Sequence, residues 1–407
     1  MITRHLPTGR ARFTAVGALT AVAALLLTGC SADAPAEPPH PVFSAPEARQ
    51  PAKALEATLA ARGFAFRQTM TFELGDGKAV LTSEGRMDPK AERATGTRSW
   101  TFTGQVKKSE REALLGDSPA PSPQPAELGV AVDGPDVLVR PGSAPYWIRH
   151  TPDDVTVEGN HNAAALVGTA VPFGGTLLEL ADTGGRVTKS AQERTGRTYT
   201  VRAPAQGALA LLPKDMQDRL LHGNDRTTGA ELPVGLGLRT DGEGRLTGAS
   251  ADFGTLVARD WAALRRLKGI TAELTISRLG APAPKLPPAA RQLAARDVVR
   301  EMDDLEPGAC FDPHTGTSAD HLVVSRPCKE QHGGRILAQS DLNTDWSGIE
   351  EARRLAGAAC HAAVPKAPAA WLAESAKKDA YWYTWPGDEW DRSGDGVARA
   401  TCYVLTR

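Results

Sequence analysis

Five cysteines are the residues of this 407-residue sequence whose positions most directly indicate chemistry. Cys30 follows an apolar stretch near the N-terminus, whereas Cys310, Cys328, Cys360 and Cys402 all lie close to the C-terminus. A thiol can be acylated, can ligate a metal or can form a disulfide, and its surroundings decide among these fates. The uneven distribution indicates that the C-terminal region is stabilised differently from the rest, which is the main argument for two domains.

The segment before Cys30 has the features of a secretory signal. A positively charged front without acidic residues precedes an apolar stretch at residues 13–27, which is too short for a comfortable membrane span. The sequence Leu-Thr-Gly-Cys at residues 27–30 resembles the lipobox of bacterial lipoproteins. It implies a signal peptide at residues 1–29 and acylation of Cys30, by chains such as palmitate, on the extracytoplasmic face of the membrane. An ordinary signal peptide with a chance cysteine at its end is the alternative.

The four remaining cysteines favour disulfides, because an exported segment with an even number of cysteines has that chemistry available, and three pairings are open. A metal site is the alternative, since some acidic and histidine side chains lie near two cysteines: Asp312, His314, His321 and His332. Their spacings do not match the short patterns of structural zinc. We therefore expect neither a metal nor another cofactor.

Composition sets the domain boundaries and excludes one class of partner. A formal net charge of −1 and the lack of a long basic block argue against nucleic-acid binding.

Residues 30–50 are rich in Ala, Pro and Glu and predict a disordered tether. Residues 107–127 carry four prolines and predict a mobile insertion, and four more within residues 282–288 mark a boundary. We expect one domain at residues 51–281, a linker with a helix at 282–304, and a second domain at 305–407.

A two-residue alternation of apolar and polar side chains dominates the first domain. It runs through residues 64–74 before a Gly-Asp-Gly turn, which predicts a hairpin, and it returns at residues 99–103, 234–238 and 270–277. Such strands predict a curved antiparallel sheet with one face in water. Helices are predicted at residues 53–62, 176–181, 216–221 and 256–267. The last of these is basic and contains Trp261, so it either packs on the sheet or rests on a membrane surface.

Several segments of this domain, taken in order, resemble the LprG/LppX type of actinobacterial lipoproteins. They are Phe-x-x-x-Met at 66–70, a Gly-Arg-Met-Asp-Pro turn at 85–89, a Val-Leu-Val-Arg strand at 137–140, the run at 236–246 and Ile-Ser-Arg-Leu-Gly-Ala-Pro at 276–282. The resemblance covers about residues 51–285. It implies an α+β fold in which a strongly bent antiparallel half-barrel has helices on its concave face and encloses an apolar cavity for acylated lipid.

Eight apolar residues are expected to line that cavity: Phe64, Phe66, Phe72, Trp100, Phe102, Leu236, Leu238 and Ile276. Burying an acyl chain against them would stabilise a complex by about 0.8 kcal/mol per methylene. The alternative is that they pack on the helices as an ordinary core. Gly235 and Gly237 would thin the wall and leave room for a ligand.

The C-terminal region resembles the septum formation domain of actinobacterial envelope proteins. The resemblance covers residues 305–407 and rests on Gly-x-Cys-Phe-Asp at 308–312, Cys-x-x-x-His at 328–332, the helical Cys360, and Trp-Pro-x-x-x-Trp at 385–390 before Cys402. It implies a small α+β module with disulfides Cys310–Cys328 and Cys360–Cys402. The family usually has an acid three residues after the histidine, where this chain has Arg335. The tryptophans of this region build a core or form an exposed patch.

No catalytic motif stands out, and the isolated Ser-Ala-Lys-Lys at residues 375–378 has no Lys-Thr-Gly after it. We therefore expect no catalytic residue. The sequence predicts a membrane-anchored exported lipoprotein that binds an acylated lipid or another hydrophobic ligand. The alternative is an interaction or scaffold protein of the envelope or division site, with an envelope protein as its partner and no ligand cavity.

Overall fold

A computed structural model of the chain describes residues 40–115, 126–151, 186–204, 233–254, 264–316, 322–342, 349–376, 382–384 and 398–406. All of these residues belong to one compact unit. The predicted signal peptide, Cys30 and the predicted helices at 176–181 and 216–221 lie outside the described residues, as do Trp346, Trp385 and Trp390. The division into two domains stays a prediction.

An open twelve-stranded sheet forms the larger part of the fold, and the predicted α+β class is confirmed. The strand order is β12-β6-β5-β4-β3-β2-β1-β11-β10-β9-β8-β7. Neighbouring strands are antiparallel, except that β12 runs parallel to β6. The bounds are β1 Gly63–Leu74, β2 Gly77–Asp88, β3 Arg93–Gly104, β4 Glu127–Asp133, β5 Asp136–Pro141, β6 Trp147–His150, β7 Arg186–Glu193, β8 Gly196–Pro204, β9 Pro233–Thr240, β10 Leu246–Asp252, β11 Leu267–Ala281 and β12 Gln292–Ala294.

The predicted alternation gives the large sheet one apolar face, which we call the inner face. Along β1, residues Phe64, Phe66, Met70, Phe72 and Leu74 are buried, whereas most side chains between them are exposed or half-buried. The predicted hairpin joins β1 to β2 through a turn in which Gly75 has a φ of 62°. Burial of the apolar positions on one side is the main stabilising contribution.

Two facing glycines let β2 and β3 approach each other closely. Gly85 lies opposite Gly96, and a Cβ at either position would overlap a backbone carbonyl oxygen of the neighbouring strand, that of Thr95 or Glu84 respectively. The segment at residues 85–89 was expected to be a turn, but Gly85 to Asp88 belong to β2 and the turn comes later, at residues 89–92. The glycine therefore serves strand contact rather than chain reversal.

Three short helices precede or flank these strands: α1 Pro41–Ser44, α2 Gln50–Ala60 and α3 Lys108–Leu115. Helix α2 was predicted at residues 53–62, and it packs Ala54 and Leu55 into the apolar cluster of the inner face. Thr58 Oγ1 accepts a hydrogen bond of 2.7 Å from the Leu246 backbone N–H. At the other end of α2, Gln50 Oε1 accepts hydrogen bonds from Arg197 and Tyr199 on β8. These contacts fix the helix against strands that follow it much later in the chain.

A second, six-stranded sheet contains the remaining strands in the order β13-β15-β14-β16-β18-β17. Its bounds are β13 Val299–Glu301, β14 Cys310–Asp312, β15 Leu322–Arg326, β16 Gly334–Leu342, β17 Trp382–Thr384 and β18 Ala398–Leu405. Helix α5, Ile349–Ala363, packs on this sheet through Ala352, Ala356 and Cys360, which are spaced four residues apart and buried. Helix α4 is Ala295–Val298 and α6 is Ala369–Leu372.

Two disulfides hold the second sheet, and they join the pairs that the resemblance implies. Cys310 on β14 is bonded to Cys328 just after β15, and Cys360 on α5 is bonded to Cys402 on β18. In the chain-entropy account, loops of these lengths contribute roughly 3–4 kcal/mol each. The bridges therefore fix both the strand edge and the only long helix of this part of the described chain.

The segment predicted as a linker connects the two sheets through short pieces of structure. Strand β12 extends the large sheet, α4 follows, and β13 then begins the second sheet. The Tyr146 hydroxyl donates a hydrogen bond of 2.6 Å to Asp312 Oδ2, and the Arg326 guanidinium lies 4.5 Å from the centre of the Tyr146 ring. Burial, and then the neighbouring Asp312 charge, raise the pKa of Tyr146, so its hydroxyl stays a donor.

Arg335 stands at the position where the septum formation family usually has an acid. It forms an ion pair with an acid from another part of the chain, Glu374. Its guanidinium donates two hydrogen bonds of 2.7 and 2.8 Å to Glu374 and stacks over Trp371 at 5.6 Å. His332 Nε2 lies 3.4 Å from the same carboxylate. Burial raises the pKa of Glu374, but the hydrogen bonds from Arg335 and His332 outweigh it and hold the pKa below its ordinary value. Trp371 therefore has a packing role.

None of the helices in the described ranges is long and apolar enough to cross a membrane.

Replacement of Gly96 by alanine is expected to lower the free energy of unfolding by about 1–3 kcal/mol, because the new methyl group overlaps the Glu84 carbonyl. The measurement is the urea unfolding midpoint with disulfides intact. Gly235→Ala is the matched control, since nothing lies within 4 Å of a Cβ there. Equal midpoints for the two variants would contradict the close approach of β2 and β3.

Replacement of Glu374 by glutamine is expected to destabilise the protein by about 1–2 kcal/mol at neutral pH. Because the native pKa is lowered, the carboxylate contributes stability above its ordinary pKa of 4.5, and this contribution is lost as the pH falls through the native value. Unfolding midpoints of both proteins should therefore converge as the pH falls below the native pKa of Glu374. Glu350→Gln, at an exposed ion pair, should have little effect at either pH.

Candidate functional site

The eight residues predicted to line a ligand cavity all lie on the inner face of the large sheet. They belong to one apolar cluster: Phe64, Phe66, Phe72, Trp100, Phe102, Leu236, Leu238 and Ile276. Strand pairing assembles them from distant segments, since Phe66 on β1 lies opposite Ile276 on β11. Six of them are buried, whereas Trp100 and Phe102 are half-buried. The structure thus brings the set together, and a ligand-lining role stays a prediction.

Three inward-facing positions on β3 are half-buried, whereas the inward-facing side chains opposite them on β2 are buried. Arg98, Trp100 and Phe102 alternate along the strand and form what we call the β3 strip. The side chains opposite them on β2 are at most 3% exposed: Ser83, Leu81 and Ala79. On the other side, Leu128 of β4 lies opposite Arg98 and is buried. The strip is therefore half-exposed beside buried side chains of β2, and at Arg98 it also has a buried neighbour on β4.

The aromatic side chains of the β3 strip are arranged as a short stack. The Trp100 and Phe102 rings are nearly parallel, at 10°, with their centres 5.9 Å apart, and Phe72 lies 5.5 Å from Trp100. The Arg111 guanidinium from α3 lies 5.1 Å from the centre of the Phe102 ring. Stacked rings of this kind present a flat apolar surface that suits an alkyl chain, and the cation adds an attraction to the ring face.

A buried acid on helix α3, Glu110, holds the helix next to this surface. Glu110 accepts hydrogen bonds of 2.8 and 2.6 Å from Arg266, and another of 2.8 Å from the Lys107 backbone. The Arg266 hydrogen bond outweighs burial and holds the pKa of Glu110 below its ordinary value. Leu114 of the same helix is buried in the apolar cluster. The helix belongs to the segment predicted as a mobile insertion, but its packing makes this first part of the segment folded.

The described end of the basic segment at residues 256–268 also packs on its own sheet. Leu264 is buried, Arg266 pairs with Glu110, and Lys268 Nζ donates to the Gly75 carbonyl at 3.2 Å. These contacts agree with the alternative in which the segment packs on the sheet and does not rest on a membrane, but only for residues 264–268. The rest of the segment, including Trp261, lies outside the described residues.

The expectation that Gly235 and Gly237 thin the wall of a cavity is wrong. Leu236 and Leu238 point to the inner face, so strand alternation places both glycines on the opposite, outer face. A Cβ at Gly235 would meet open space, and one at Gly237 would meet the Ser250 hydroxyl. The glycines therefore contribute no space on the ligand side.

Sequence reasoning missed a polar row across the inner face. Gln68 on β1 lies opposite Ser83 on β2, which lies opposite Arg98 on β3. Gln68 and Ser83 are 4% and 2% exposed. The two-residue period already placed Gln68 in the same series as Phe66 and Met70, but a search restricted to apolar residues passed over it. Only the register of β1, β2 and β3 shows that Gln68, Ser83 and Arg98 lie next to one another.

Two of the four residues weighed as metal ligands make other contacts in the structure. Asp312 accepts the Tyr146 hydrogen bond and His332 contacts Glu374, whereas His321 lies outside the described residues. Burial lowers the pKa of His314. In the ranges that the structure covers, no group of three His, Cys, Asp or Glu side chains could hold a metal ion.

No protein-family model matches the chain, and no curated protein sequence matches it. Among solved structures, it is similar to the lipoprotein LppX of Mycobacterium tuberculosis, at 13% identity and a TM-score of 0.30 over 57% of this chain and 94% of that one. LprF from Mycobacterium bovis matches at 13% identity and a TM-score of 0.33, over 60% and 98% of the two chains. An uncharacterised conserved protein from Thermus thermophilus matches at 8% identity and a TM-score of 0.28, over 61% and 99%. Similarity at this level carries no conclusion about function.

Replacement of Glu110 by glutamine is expected to loosen α3, because the charge-assisted bonds to Arg266 are lost. Hydrogen exchange of the amides of residues 107–115, followed by mass spectrometry, should become about tenfold faster. Glu112→Gln is the control on the same helix, since its ion pair with Lys108 is exposed. Unchanged exchange in Glu110→Gln would show that Glu110 does not hold the helix.

Proposed function

We propose that this protein is an exported lipoprotein, held on the extracytoplasmic face of the membrane by acylated Cys30, that binds an acylated lipid or another hydrophobic ligand. The binding surface is the inner face of the large sheet. The observation that carries the proposal is the β3 strip, because the stacked Trp100 and Phe102 rings stay half-buried on the apolar face while the β2 side chains opposite them are buried.

The energetics favour a ligand with long alkyl chains. Each methylene transferred from water contributes about 0.8 kcal/mol. Loss of translational and rotational freedom costs roughly 4–15 kcal/mol. Two ordinary acyl chains that lay along Trp100 and Phe102 would therefore outweigh that cost, whereas a small apolar solute would not.

The anchor and the C-terminal module complete the proposal. The lipobox-like sequence at residues 27–30 supports acylation of Cys30. Two acyl chains would hold the chain firmly at a membrane, where one chain binds only marginally. The disulfide-held second sheet would contact other envelope proteins without catalysis, and a role in septation rests only on the sequence resemblance.

A scaffold function without a ligand is the second candidate, and burial favours it. Six of the eight predicted lining residues are at most 7% exposed in the protein itself. In that case the β3 strip would be a contact surface for a partner protein, not a lipid site.

Native mass spectrometry of the chain purified from a bacterial envelope fraction tests the proposal. The chain should carry discrete added mass that organic extraction identifies as acylated lipid. Trp100→Glu should lose this mass because it places a charge on the apolar strip. Thr101→Glu, on the neighbouring exposed position of the outer face, should keep it. A bare chain mass with the wild-type sequence would favour the scaffold.

A further inference from the structure

Arg98 is a cation in the middle of an apolar surface. It lies near the centre of β3, opposite Ser83 on β2 and Leu128 on β4, and its position in the alternation is that of Trp100 and Phe102. The residue is half-buried. A charged group taken partly out of water costs free energy unless an opposite charge or hydrogen bonds compensate.

Nothing acidic compensates Arg98 among the residues that the structure describes. None of the inward-facing positions of the described strands of the large sheet is Asp or Glu. The acids that other described elements bring to this face have other partners or lie away from β3: Glu110 pairs with Arg266, Asp312 pairs with Tyr146 and Arg326, and Glu47 lies near Tyr199 of β8. Asp312 is also remote, because β6 lies three strands from β3, about 14 Å away.

The surroundings of Arg98 are suited to an anionic head group. A guanidinium presents a planar set of N–H donors that matches carboxylate and phosphate oxygens. Ser83 on β2 lies opposite Arg98, and Gln68 on β1 lies opposite Ser83, so these polar residues form a row across the sheet. Trp100 and Phe102 lie on the same face of β3, two and four residues after Arg98. Alternate positions of a strand are about 6.6 Å apart, so Arg98 to Phe102 spans about 13 Å. Arg98 thus gives the strip a cation at one end, next to Trp100, whereas at the other end the cation of Arg111 lies over the ring face of Phe102.

We propose that the ligand is an anionic amphiphile, with its acidic head group at Arg98 and its alkyl chain along Trp100 and Phe102. The inference rests on the proposed function and adds the charge and the orientation of the ligand to it. The shared chemistry is a carboxylate or a phosphate monoester attached to an alkyl chain.

Isothermal titration calorimetry with decanoate, decyl phosphate and decanol tests this proposal on the full-length chain carrying Cys30→Ser, produced under oxidising conditions. At least one of the acids should bind about tenfold to a hundredfold more tightly than decanol, which is the effect of a charge-assisted hydrogen bond. The affinities of decanoate and decyl phosphate show whether a carboxylate or a phosphate head group is preferred. Titration with inorganic phosphate shows whether a phosphate group binds without an alkyl chain.

Arg98→Gln should bring the affinity for the acids down to that for decanol measured on the same variant, and Arg98→Lys should keep most of the preference. Arg67→Gln is the matched control, because Arg67 is exposed on the outer face of β1. If Arg98→Gln does not fold, the affinities of the acids and of decanol for the chain that keeps Arg98 still test the anionic assignment. Equal affinity for acids and alcohol, or an acid preference that survives in Arg98→Gln, overturns the anionic assignment and leaves the proposed function standing. Failure of all three single-chain amphiphiles to bind also overturns the anionic assignment, whereas the proposed function is decided separately by the native mass spectrum of the chain.

Discussion

The two-residue alternation along the long central strands is the constraint on which the rest of the structure depends. It gives β1, β2 and β11 one largely apolar face, interrupted by Gln68 and Ser83. Strand β1 joins the N-terminal strands to the C-terminal ones by pairing on both sides. A shift of one residue in either ladder would turn that whole strand's apolar set to the outside. Burial of this face holds α2 and α3 in place, so the helices depend on the sheet.

Within that apolar face, β3 departs from the pattern in a way that packing alone does not require. The half-buried Arg98 carries a cost because no described acid pairs with it, and such local departures occur at functional surfaces. Trp100 and Phe102 lie beyond the end of the β3–β4 ladder. The second sheet contributes to the same unit from the side of β6, through the Tyr146–Asp312 hydrogen bond. Two apolar clusters of its own hold it, together with its disulfides and the Arg335–Glu374 pair.

Much of this could be predicted from local patterns, and the rest depended on contacts between distant residues. Alternation at residues 64–74 predicted β1 and its inner face, and the four late cysteines predicted a disulfide-held region. The partners of Gln68 and Arg335 could not be predicted, because strand register and the position of Glu374 depend on how distant segments pack. The turn predicted at residues 85–89 failed because Gly85 faces Gly96, a pairing that composition does not reveal.

The most direct test of the account is an experimental electron-density map of the chain purified from a bacterial envelope. The account predicts continuous elongated density along Trp100 and Phe102, ending beside Arg98, that no protein atom explains. Side chains of the chain itself packed against all three residues, with no room for a ligand, would contradict it.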